Sequence, residues 1–181
     1  NSENAAHRIA VVWEDEEREL REGVFIPRRD STSLVGQLAG GRLFPGEQHR
    51  AHFTVEEKMD EISLDMKSDD GEVAVRVAGK ISSQLPPSSI FRSLPDASSF
   101  FEKGSLGYSL TSERGRLDGV NLRTKQWHVE PLELHEIYSS YFADQQRFPP
   151  GTVEFDHALL MRNIEHEWLG APDIYTNEER G

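Results

Sequence analysis

Apolar and polar residues alternate with a period of two along most of this chain, as expected of strands with one buried face. Within residues 7–13, Ile9, Val11 and Trp13 alternate, with Val12 filling in, and the acidic run Glu14-Asp15-Glu16-Glu17 reads as a turn. Residues 18–26 alternate in part, through Leu20, Val24 and Ile26, and pair with the first strand as a hairpin. Pro27 lacks a backbone N–H and is expected to send the chain off the ladder. The clearest β region follows: residues 49–57 carry Ala51, Phe53 and Val55 on one face, and residues 59–68 set Ile62, Leu64 and Met66 against Ser63, Asp65 and Lys67. Asp69-Asp70-Gly71 is a hairpin turn, answered by Val73, Val75 and Val77. Residues 106–112 and 117–123 form a further hairpin, residues 127–134 another strand continuing toward Phe142, and residues 153–164 a last strand pair.

Two stretches switch to helical spacing. Asp30 and Ser31 are good N-cap residues, Leu34, Val35 and Leu38 follow at helical intervals, and Gly40-Gly41 is a stop, so a short helix is expected over residues 32–39. Ser93 and Asp96 form a capping-box pattern, with Pro95 in the first turn and Gly104 as the stop. Ala97, Phe100 and Phe101 form the apolar stripe of this second helix and are assigned to the core. Eight to ten strands and two short helices make a β-rich α+β chain. An antiparallel sheet of that size usually curls or closes, so a closed barrel or strongly bent sheet is expected. One domain is expected over residues 1–181, with a polar flexible tail at 169–181. The first residue is not methionine, which reads as a fragment or a processed chain.

Composition narrows the function classes. Of 181 residues, 36% are hydrophobic and 29% charged, a globular balance. No cysteine is present, which excludes disulfides, thiolate catalysis and Cys-based zinc sites. A net charge of −12 argues against nucleic acid and against anionic membranes as partners. The absence of a long apolar run makes cytoplasmic the expected location. The acidic, arginine-rich balance fits either an arginine-biased genome or adaptation to high salt. A homo-oligomer is left open.

Four constellations could carry chemistry. Arg28-Arg29-Asp30 places two permanent cations beside an expected helix start, where they would clamp an anion; the alternative is surface arginines paired with some of the 32 acids. Arg42, His49 and His52 are weaker ligand-binding candidates; three residues apart on a strand, His49 and His52 point to opposite faces. His157 and His166 have carboxylate neighbours but no recognised metal spacing, and no metal or cofactor is expected. Lysine occurs only at 58, 67, 80, 103 and 125. Lys80, opposite the valine face of its strand, is the one that could point into a barrel as a Schiff-base lysine or a base. No nucleotide-binding glycine loop and no nucleophile elbow occurs.

Five blocks resemble a known family: Gly23-Val24-Phe25-Ile26-Pro27-Arg28-Arg29, Gly40-Gly41-Arg42-Leu43-Phe44-Pro45-Gly46, Gly104-Ser105-Leu106-Gly107-Tyr108-Ser109, Trp127-His128-Val129-Glu130-Pro131 and Phe155-Asp156-His157-Ala158-Leu159-Leu160-Met161. They are similar to the uncharacterised DUF2071 or YqjF-like group, which is placed near the acetoacetate decarboxylase-like fold. The resemblance runs from about Ala5 to Trp168. It implies a cone-shaped β-barrel with a central cavity and a further segment ahead of Asn1. Acetoacetate decarboxylases carry Pro-Lys-Lys where this chain has Pro27-Arg28-Arg29. Arginine does not give up its proton to form an imine. The resemblance therefore implies a cationic cavity that binds a small anionic ligand without Schiff-base decarboxylation. The competing expectations are a lyase or hydrolase using Lys80 or a carboxylate–histidine base, and a non-catalytic structural or interaction protein.

Overall fold

The computed structural model describes residues 3–33 and 46–176. Within them lie ten strands and two helices, arranged as two compact units. The first unit is built from residues 1–49, 100–127 and 164–181, the second from residues 50–99 and 128–163.

In the first unit, β1 (Asn4–Glu14) and β2 (Leu20–Ser31) form the expected hairpin. Its acidic turn is held by the Asp15 carboxylate, which accepts the N–H groups of Glu17 and Glu19 at 2.9 Å each and the Arg21 guanidinium at 2.6 Å. Asp15 alone of the four acids therefore staples this turn. Beyond β2 lie β6 (Leu106–Leu110), β7 (Arg116–Thr124) and β10 (His166–Tyr175), in the order β1-β2-β6-β7-β10. The β2–β6 pairing is parallel and the others are antiparallel. Gly107 and Gly119 allow close approach here: a Cβ on Gly119 would lie 2.4 Å from the Pro172 carbonyl oxygen of β10.

In the second unit, β3 (His49–Lys58), β4 (Glu61–Ser68), β5 (Ala74–Ile81), β8 (Glu130–Ser139) and β9 (Ala158–Leu160) follow one another in an all-antiparallel sheet. The alternation read from the sequence sets the register: Met66 opposes Val75 and Leu64 opposes Val77. Ala51, Met66, Val73 and Leu132 are buried. Gly71 closes the β4–β5 turn at φ 72°, a conformation that favours glycine.

The strand order is open, not closed. β10 and β9 are the two ends of the strand order, β1 lies off it as a partner of β2, and the two ends do not pair with each other. The β-rich class and the two short helices are as expected; the closed barrel is not formed among the described residues. The helices also differ. α1 (Leu94–Lys103) is the capping-box helix, with the Ser93 hydroxyl accepting the Asp96 N–H at 3.3 Å. Its stripe is mostly outward, however: Ala97 is buried, but Phe100 and Phe101 are 50% and 45% exposed and stack edge-to-face on each other. The helix expected over residues 32–39 lies almost wholly outside the described residues, while its proposed caps, Asp30 and Ser31, are strand residues of β2. A further single turn, α2 (Ser140–Ala143), stands where the chain was expected to continue as a strand toward Phe142. Residues expected in a flexible tail, up to Tyr175, are paired with β7.

Candidate functional site

Pro27 does not end its strand. β2 runs through it, because a bulge accommodates the missing donor. His7 opposes Arg28 and Ile9 opposes Phe25, so Ile26 and Pro27 together face Arg8 alone. The extra residue flips the alternation. Arg28 and Asp30 come to share a face with Phe25 and His7, and Arg29 shares the other face with Ile26 and Arg8. The two arginines therefore serve different surroundings.

Arg28 is an internal charge. Its side chain is 6% exposed and that of Asp30 is 0% exposed. The Arg28 Nη2 donates to Asp30 Oδ1 at 2.9 Å, and its Nε lies 3.1 and 3.2 Å from the two carboxylate oxygens. Residues two apart on a strand share a face, so this pair is local, and Asp30 neutralises the cation where it stands. Buried His7 stands opposite Arg28 on β1.

Arg29 meets a different set. Its Nε donates to Ser109 Oγ of β6 at 2.9 Å, and its guanidinium lies 5.6 Å from the ring centre of Trp168 on β10. Ser109 opposes Asp118 of β7, and both are fully buried. Burial pushes the Arg29 guanidinium down to about 10; the nearby Arg8 guanidinium pushes the same way, and Asp118 works against both. Burial also lowers the Arg8 guanidinium from its usual value, and its Nη2 donates to the Gly104 carbonyl. Two cations and one carboxylate thus gather around Arg29.

The other predicted residues separate from this cluster. Arg42 lies outside the described residues. His49 is half-buried at the start of β3. His52 is exposed and lies 3.1 Å from the Asp69 carboxylate on the surface of the second unit. An odd spacing on a regular strand sends the two histidines to opposite faces. Lys80 is not desolvated: it is half-exposed and sits 3.4 Å from Glu133, its cross-strand partner on β8. Among the described residues, no group of three His, Asp or Glu could hold a metal ion.

A second polar constellation lies wholly in the second unit. The Asp156 carboxylate accepts the Ser89 hydroxyl at 2.7 Å, the Ile90 N–H at 2.7 Å and the Nδ1–H of buried His157. Phe91 stacks edge-on against the His157 ring at 5.3 Å. Burial raises the Asp156 carboxyl, but the bonds from Ser89, Ile90 and His157 outweigh it and hold the group below its usual range. Serine, histidine and aspartate are together here, yet the order is wrong for nucleophilic catalysis: Ser89 gives its proton to the aspartate, not to the histidine. The arrangement ties the loop after β5 to the segment before β9.

Sequence reasoning missed Arg8, Ser109, Asp118 and Trp168. The one usable signal was Pro27 inside an alternating run, which marks a bulge as readily as a strand end. Comparison with protein-family models, with curated proteins and with solved structures found no match.

Proposed function

We propose that this chain binds a small organic anion, a carboxylate of keto-acid or hydroxy-acid size, on the Arg29 face of its first sheet, without Schiff-base chemistry. The observation that carries this reading is the division of labour between the arginines. Arg28 is paired with Asp30 on its own strand, whereas Arg29 is desolvated between Arg8, Asp118 and Ser109. Like charges crowded in a partly buried place are costly, and an anion bound between them relieves that cost. Ser109 fixes the Arg29 fork from behind. Kinship with the DUF2071 or YqjF-like group, and through it with the acetoacetate decarboxylase-like fold, belongs to the same proposal and is supported by the five sequence blocks. The lyase or hydrolase reading through Lys80 gains nothing from a lysine already facing Glu133 in solvent.

The test is thermal unfolding with pyruvate, acetoacetate and lactate, on the wild-type chain and on Arg29→Met. Arg29→Met also removes the bond to Ser109 and the cation beside buried Asp118, so each protein's shift is read against its own unliganded melting temperature. A ligand at about 100 times its Kd adds about 2.7 kcal/mol, or roughly 5–10 °C for a chain of this size. That shift is expected for the wild type and not for Arg29→Met. If no acid shifts the wild type, or if both proteins shift equally, the chain is better read as a structural or interaction protein.

A further inference from the structure

The second unit holds a cavity of about 370 Å³, with apolar walls that include Leu85, Pro86, Leu132, Leu134 and Phe155. That volume is at the small end of the range of small-molecule sites. Its charged lining is of one sign: Asp156 and Glu133 contribute carboxylates, and among the described residues no lysine, arginine or histidine lines it. Lys80 sits beside Glu133 outside the lining.

We propose that this cavity binds a small amine, with an ammonium head toward Asp156 and Phe155 and an apolar body against the leucines. Three features select that chemistry. First, the Asp156 side chain keeps 23% of its surface exposed. Its Oδ2 accepts from Ser89 and His157, while Oδ1 accepts from Ile90. A carboxylate takes about four donors, so Oδ1 retains room for one more. Second, Phe155, adjacent in sequence, is 48% exposed, and an aromatic face beside a carboxylate attracts an alkylammonium through both its charge and its carbon atoms. Third, the charged lining consists of Asp156 and the Lys80-paired Glu133, so Asp156 sets the sign of the site and disfavours an organic acid of the same shape. The site is independent of Arg29 and selects the opposite charge.

The experiment is an NMR titration of the whole chain with phenethylamine at neutral pH, matched by 3-phenylpropionate, which has the same ring and linker but the opposite charge. Saturable shifts at the amides of Leu85, Phe155 and Asp156 are expected with the amine and not with the acid. Phe155→Ala is half-exposed and leaves the spectrum folded; it is expected to raise the amine Kd about fivefold. Arg29→Met is expected to leave that Kd unchanged. Equal binding of amine and acid, no saturable shift at these amides, or an unchanged Kd in Phe155→Ala would each overturn the proposal.

Discussion

Asp30→Asn tests the charge balance inside the first sheet most directly. The substitution preserves shape but removes the charge that matches Arg28. Both side chains are almost completely buried, and three close N···O approaches join them. Breaking a buried pair by neutralising one partner costs about 3–5 kcal/mol, because the remaining charge is left uncompensated. That is roughly two to four decades in the folding equilibrium constant. Replacing both members by apolar residues, Arg28→Met with Asp30→Leu, removes the desolvation cost of both charges together and is expected to come within about 1–2 kcal/mol of wild type, on either side. Urea denaturation of the wild type, the single variant and the double variant measures the difference, with the slope checked for constancy. A single variant within about 1 kcal/mol of wild type would refute the assignment of Arg28 to the interior. So would a double variant as unstable as the single, since the loss would then not come from an unmatched charge.

Two further outcomes follow from packing and titration. Gly119→Ala puts a methyl group against the Pro172 and Ala171 backbone, at 2.4 and 3.1 Å, with no flexible side chain to move aside. It is expected to destabilise by about 1–3 kcal/mol in thermal unfolding and to weaken amide-exchange protection along β10. Asp156 is held below its usual carboxyl range in the folded chain, so its contribution to stability is present above its unfolded value near pH 4 and is lost as pH falls through the lower folded value. Asp156→Asn should therefore be less stable than wild type at pH 7, with the gap narrowing below about pH 4; a gap that does not change with pH would contradict the staple.

The sequence by itself determined what depends on near neighbours. Period-two alternation with Asp69-Asp70-Gly71 between two runs specified the β4–β5 hairpin and its register, because a slip of one residue would turn Met66 and Val75 outward. Ser93 and Asp96 specified the start of α1, since a cap needs only its own turn. The Arg28–Asp30 pair was legible in principle from a spacing of two on a strand. Tertiary structure decided the rest. β10 forms where the sequence reads as a tail, because its ladder with β7 satisfies backbone groups far apart in the chain. Phe100 and Phe101 have helical spacing, but spacing cannot say whether another element covers that face. The closed barrel was inferred from strand number and from the family resemblance, whereas closure requires the first and last strands to meet, and the order stays open. Arg8, Ser109, Asp118 and Trp168 gather near Arg29 from four other strands, through a bulge that changes which face Arg29 takes. Charges interact through space and not along the chain, so the order of residues names the candidates but not their partners.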